Sequence, residues 1–177
     1  MGYRHSREQL LDGAVEAALD EGLHRLTFGR LAGRLGVTDR AIVYYFPSKD
    51  ALVTAVLEAL GQRLLEALAE AVDSGATDHR QLVGAAWPLL ARPQLDPLFA
   101  LYFEAIGLAA TGAEPYRSLA GPLVQVWVGW FAGVLIGTRA ERRREAEAAL
   151  ALLDGLLLVR RLAGPAAANR AAKVLLT

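Results

Sequence analysis

Few side chains in this 177-residue chain are placed for covalent or metal chemistry. Its three histidines, His5, His24 and His79, are scattered and lack the close spacing by which imidazoles converge on a metal. Cysteine is absent, which removes disulfides, thiol nucleophiles and thiolate metal sites. Neither a Ser-His-Asp arrangement nor a glycine-rich phosphate loop is apparent, so no enzyme activity and no cofactor are expected. What the chain does offer is a short basic stretch. Arg25, Arg30, Arg34, Arg40 and Lys49 fall between His24 and Lys49, opposed there by Asp39 alone. Such groups suit phosphate oxygens and base edges, although the charges by themselves equally suit solvated helix faces. The formal net charge is zero, so any affinity for a polyanion has to come from a local patch.

The elements that would position this stretch are two short helices joined by a glycine turn. Ala32 stands where the helices cross, and a larger side chain would push them apart. Gly36 takes the turn position that calls for a positive φ, which glycine adopts cheaply. Ile42 follows six residues later and buries the second helix against the first. Leu31, Leu35 and Val37 fill the rest of a small core. Alanine, glycine four on and an aliphatic six on from that is the steric pattern of a helix-turn-helix. Caps frame it: Ser6 with Gln9 forms a capping box for a first helix ending near Gly22, Thr27 caps the second helix, and Thr38 caps the third. Pro47 stops the third helix, and a long helix begins at Ser48–Lys49 and runs to about Asp73.

Apolar residues make up 54% of the chain and recur at three- and four-residue spacing almost throughout, which predicts an all-α fold. In the long helix Leu52, Val56, Leu60, Leu64, Leu68 and Val72 form one stripe. Further helices are predicted at about 78–91, 95–111, 115–137, 139–163 and 166–176, separated by breaks such as Ser74-Gly75 and Gly164-Pro165. Two domains are expected: a helix-turn-helix headpiece over 1–47, and a helical effector-binding and dimerisation domain over 48–177. The N-terminal run carries no apolar segment after its basic residues, so a cytoplasmic location is the default expectation.

The run LTFGRLAGRLGVTDRAIVYYFPSKDAL, Leu26 to Leu52, resembles the DNA-binding headpiece of the TetR family. It shares the Thr-capped helix, the apolar-Ala pair, Gly-Val-Thr, the aromatic cluster and Phe-x-x-Lys. The close match covers the first third of the chain. The resemblance implies that Thr38, Asp39, Arg40 and Ala41 open a recognition helix facing base edges in the major groove. Arg40 would pair bidentately with guanine, and Asp39 would accept from a cytosine amino group. Tyr44 matches a position touching bases or a thymine methyl. Tyr45, Lys49 and Thr27 match phosphate contacts. One position departs from the pattern: Val43 stands where a tyrosine is usual. That removes a backbone contact, which either Tyr44 or a thymine methyl in the half-site would make good.

The C-terminal two-thirds has few charges between residues 82 and 138 and most of the large aromatics. Trp87, Phe99, Tyr102, Phe103, Trp127, Trp130 and Phe131, with Glu104, Gln125 or an indole N–H as polar handle, are candidates to line a cavity for a small apolar or aromatic effector. Each aromatic taken singly also suits plain core packing, and the family resemblance favours the cavity. Ser118 to Thr138 contains no charged residue, with Gly129, Gly133 and Gly137 four apart. Pro122 and Gln125 interrupt it, so a buried or interfacial helix is expected rather than a membrane span. The helix at 139–163 opens with the charged turn Glu141 to Glu145, whose arginines are expected to be solvated. Its Leu-rich remainder, with the last helix, is expected to pair with a second copy as a four-helix seam. The function implied is a homodimeric repressor on a palindromic double-stranded operator, released by its effector through a population shift carried by the long helix. The alternative is a DNA-binding module tethered to a membrane or partner, without a small-molecule effector.

Overall fold

A computed structural model describes residues 6–72 and 75–176. His5 and the run before Ser6, the expected helix end at Asp73 and the break at Ser74 lie outside the described residues. Over those residues the chain forms α1 (Arg7–Glu21), α2 (Phe28–Leu35), α3 (Asp39–Tyr45), α4 (Lys49–Ala71), α5 (His79–Leu90), α6 (Asp96–Ala110), α7 (Tyr116–Val134), α8 (Arg139–Ala163) and α9 (Pro165–Leu175), with 3-10 turns at Leu23–Arg25 and Pro93–Leu95. Among them the one departure from helix and turn is an isolated parallel bridge between Ala76 and Leu135. The fold is all-α, as the periodicity predicts.

Local chemistry sets most boundaries. The Ser6 hydroxyl accepts from the Gln9 amide, and the Gln9 side chain accepts from the Ser6 amide in return. Gly36 closes α2 in the left-handed region, at φ 66°, where any Cβ would be strained. One cap and one boundary differ from expectation. Thr38 holds the N-cap position of α3, yet its side chain makes no capping bond. The predicted helix over 115–137 stops at Val134, because the backbone there pairs sideways. The Gly75 amide donates to the Val134 carbonyl (2.8 Å), and the Ile136 amide donates to the Ala76 carbonyl (2.9 Å). These bonds satisfy groups that another helical turn would have used.

The chain divides into two compact units. One comprises Met1–Arg63 with Leu101–Leu119, and the other Leu64–Ala100 with Ala120–Thr177. In the first, Leu10, Val15, Leu23, Leu31, Ile42, Phe46 and Leu52 are fully enclosed. Ile42 and Phe46 are one turn apart, so a single face of α3 is driven inward. Arg7 of α1 lies over the Phe46 ring, 5.2 Å from its centroid.

In the second unit, α8 packs on α5 and α9 through Ala146, Ala149, Leu153, Leu156 and Leu157, with Leu82 and Ala86 of α5 and Ala168 and Ala172 of α9 also buried. The Arg160 guanidinium is sealed in this unit and makes a two-pronged bond to Asp96, at 2.9 and 3.1 Å. His79 of α5 clamps Glu145 of α8 with its amide (3.0 Å) and its Nδ1 (2.7 Å). Arg142, expected to be solvated, is half-buried and donates to the Ala132 carbonyl. The whole α4 stripe from Leu52 to Val72 is buried.

Truncating the deepest contact of α3, Ile42→Ala, removes three carbons from a fully enclosed site. The expected cost is about 2–5 kcal/mol, read as a lower urea midpoint with an unchanged slope.

Candidate nucleic-acid interface

Burial of Ile42 and Phe46 turns the opposite face of α3 outward. Arg40 and Asp39 are exposed, Tyr44 is 80% exposed, and Val43 beside it is 39% exposed. Ala41 and Tyr45 flank this face and are half-buried. The Tyr44 and Tyr45 rings meet edge to face, with centroids 4.8 Å apart. An exposed tyrosine of this size, held by a neighbouring ring rather than by a core, is available to a base or a methyl group.

Of the three expected phosphate contacts around α3, Thr27 and Lys49 are exposed and Tyr45 is half-buried. The Thr27 hydroxyl accepts from the Arg30 amide at 3.4 Å, which leaves its proton free to donate. Thr38, with no capping bond, keeps both capacities. Ser48 accepts from the Ala51 amide and so fixes the start of α4, where Lys49 is exposed. A shallow open cleft lies beside Thr27, lined by Ala17, Glu21, Arg25, Arg30 and Arg34 among others.

The local charge is smaller than the sequence suggests. Arg30 bonds Glu21, and Arg34 bonds Asp20, both acids belonging to α1. The two α2 arginines are therefore largely compensated by a helix outside the stretch in which charges were counted. Arg25, Arg40 and Lys49 remain without an ion-pair partner among the described residues. Arg63 of α4 likewise meets Asp12 of α1.

The expected effector-site residues fall into both units. In the second unit, α7 brings Trp127, Trp130 and Phe131 together, with ring centroids 6.0 Å (Trp127 to Phe131) and 5.5 Å (Trp130 to Phe131) apart. Trp87 is buried there, its indole N–H donating to Asn169 (3.1 Å), and Phe99 is buried as well. Gln125 accepts from Arg143. In the first unit Tyr102 and Phe103 are half-buried and in edge contact.

Glu104 was expected to be a polar handle in that set. Its carboxylate instead binds the 3-10 turn after α1: Oε2 accepts from the Leu23 amide (3.0 Å), and Oε1 from the His24 amide (2.9 Å) and His24 Nδ1 (2.9 Å). Partial burial pushes its pKa up, but these hydrogen bonds outweigh that and hold it below the ordinary carboxylate value. Tyr116 is shifted the opposite way, by burial first and then by the negative charges of Glu104 and Asp50. Sequence reasoning did not find the Glu104–His24 pair, since the residues are 80 positions apart and share no periodicity.

These features define a helix-turn-helix protein, with α2 and α3 joined at the left-handed Gly36. Residues 10–56 match the family model for bacterial regulatory proteins of the tetR family. The chain is 30% identical over 194 residues to the HTH-type transcriptional regulator BetI of Serratia proteamaculans (strain 568), covering 97% of this chain and 88% of that one. A transcriptional regulator from Rhodococcus sp. Rha1 superposes with a TM-score of 0.75 at 24% identity, covering 97% of this chain and 94% of its own. The multidrug binding protein EbrR, solved with imidazole, gives 0.69 at 23% identity, covering 99% and 92%. The chain belongs to the TetR family. It is a DNA-binding transcriptional regulator, not an enzyme.

Because Glu104 has a lowered pKa in the folded chain, its contribution to stability is complete above the ordinary carboxylate range. It is lost as pH falls through the lowered value. Glu104→Gln is therefore expected to be less stable than the parent near neutral pH, with the gap closing on acidification. Urea midpoints of both proteins between about pH 7 and pH 3 check this.

Proposed function

We propose that this regulator acts as a ligand-responsive homodimeric repressor. It would bind a palindromic double-stranded operator and let go when a small apolar or aromatic effector binds. The observation that carries the DNA-binding part is the two-faced α3. With Ile42 and Phe46 wholly enclosed, Arg40 and Tyr44 have nowhere to go but outward. Thr38, Asp39, Arg40, Ala41 and Tyr44 are assigned to base edges, and Thr27, Tyr45 and Lys49 to phosphates. Val43, exposed beside Tyr44, suits a thymine methyl.

Dimerisation is supported by apolar surface on the last two helices. Leu158 and Leu162 of α8 and Val174 and Leu175 of α9 are exposed, Leu162 at 77%. Gly155 on α8 has open space where a Cβ would stand, so a second helix can approach closely there. Two-fold pairing of these helices would give inverted half-sites on the operator. For the effector, the half-buried Trp127 and Trp130 beside Phe131 supply flat apolar surface of the kind that small apolar or aromatic molecules occupy. That EbrR was solved with imidazole supports small-molecule control in a protein of this fold. Release then requires that the effector bind one spacing of the recognition helices more tightly than the other. The membrane-tethered alternative has no support from α7: no helix among the described residues is long and apolar enough to cross a membrane.

On a duplex enriched by the parent protein from a random pool, Arg40→Ala is expected to lose about 1–3 kcal/mol of binding and to relax selectivity at one position per half-site. Lys49→Ala is expected to weaken all duplexes alike and to lower the slope of log affinity against log salt by about one. Unchanged selectivity in Arg40→Ala would remove α3 from the reading. Leu162→Glu, at a site exposed in the single chain, is expected to leave the fold intact and yield monomers in sedimentation velocity. A persisting dimer would move the seam elsewhere.

A further inference from the structure

We propose that Glu104 is a positioning residue for DNA recognition, a carboxylate on α6 that holds the turn leading into α2 and so fixes the seating from which α3 meets a duplex. The inference rests on the DNA-binding reading given above.

Three donors converge on this one side chain. The amides of Leu23 and His24 open the 3-10 turn, where backbone N–H groups have no partner within the turn itself. Glu104 supplies both acceptors from a helix that follows about eighty positions later, and His24 adds its ring Nδ1 to the same oxygen as its amide. The turn is not a loose surface loop. Leu23 before His24 and Leu26 after it are buried at 0% and 3% exposure, so a displaced carboxylate carries the headpiece core with it or gives up its bonds. Thr27, the cap of α2, comes next in the chain, and α2 sets α3 through the Ala32 crossing and the Gly36 turn.

The chain also keeps room for the carboxylate. Gly22 has a φ of 89°, and a Cβ built on it would stand 3.0 Å from Glu104 Oε2 and 2.8 Å from His24 Nδ1. Any larger residue would therefore collide with the clamp as well as strain the backbone. On α6 the half-buried rings of Tyr102 and Phe103 immediately precede Glu104. The clamp of His79 on Glu145 has the same local geometry but holds the start of α5, in the unit that contains no residue assigned to DNA. It serves as an internal control.

The experiment measures the affinities of full-length parent, Glu104→Gln, Glu104→Asp and Glu145→Gln for two duplexes at one salt concentration. One duplex is enriched by the parent from a random pool, and the other is an unrelated sequence of equal length. Amide hydrogen exchange is followed in parallel. Glu104→Gln is expected to reduce the ratio of the two affinities by about tenfold while binding to the unrelated duplex persists. Glu104→Asp, which keeps the charge on a shorter stem, is expected to fall between it and the parent, and Glu145→Gln to keep the parent ratio. The Leu23 and His24 amides are expected to exchange faster in Glu104→Gln, with the Ile42 amide still protected.

An unchanged ratio in Glu104→Gln overturns the proposal, as does unchanged exchange at Leu23 and His24. A parallel loss on both duplexes in Glu104→Gln and Glu104→Asp alike marks a purely structural role and overturns it too. If the parent enriches no duplex at all, the DNA-binding reading fails first and takes this proposal with it.

Discussion

The burial of Ile42 and Phe46 beneath α3 governs what the rest of the headpiece can do. A helix of this length is not stable alone, so its orientation is set by whichever face it can bury. Two large apolar groups one turn apart leave a single way to seat it, and that seating decides which side chains meet solvent. Arg40 and Tyr44, also one turn apart, are outward because Ile42 and Phe46 are inward. The cation of Arg7 over the Phe46 ring adds a seal from α1 on the same contact.

Electrostatics in the first unit is arranged in two tiers. Along one edge, Asp12, Asp20 and Glu21 of α1 tie down Arg63, Arg34 and Arg30. These pairs are largely exposed, and such pairs contribute little each to stability. Their larger effect is on the field around α3: Arg30, Arg34 and Arg63 are paired, while Arg25, Arg40 and Lys49 have no ion-pair partner among the described residues. The second tier is the Glu104 clamp, in which a partly buried carboxylate completes the hydrogen bonding of a turn it does not belong to. Charge-assisted bonds to backbone amides are stronger than surface ion pairs and directional.

What was legible in the amino-acid order was what neighbours along the chain decide. The Ser6–Gln9 box, the Thr27 cap, the left-handed Gly36 and the unbroken burial of the α4 stripe follow from spacing alone. What distant residues decide carries no such local signal. Arg30 and Arg34 find their acids on α1, outside the stretch in which Asp39 is the one opposing charge. Glu104 was read with its aromatic neighbours on α6, although its hydrogen bonds go to a turn with no periodic relation to it. The α7 terminus was placed late because a lateral pairing with residues 75–76 is invisible to a helical pattern. Thr38 has the right identity for a cap and sits at the cap position, yet its side chain makes no such bond. Residue type gives the propensity, and only the rotamer realises it.

Among the described residues the tryptophans and the tyrosines fall in different units, while phenylalanines occur in both. Trp87, Trp127 and Trp130 all belong to the second unit, while Tyr44, Tyr45, Tyr102 and Tyr116 all belong to the first. The molecule therefore carries a natural optical reporter of one unit. Indole emission, excited at the red edge where phenols do not absorb, speaks for the second unit alone through α5 and α7. Events there can be followed in the unlabelled protein.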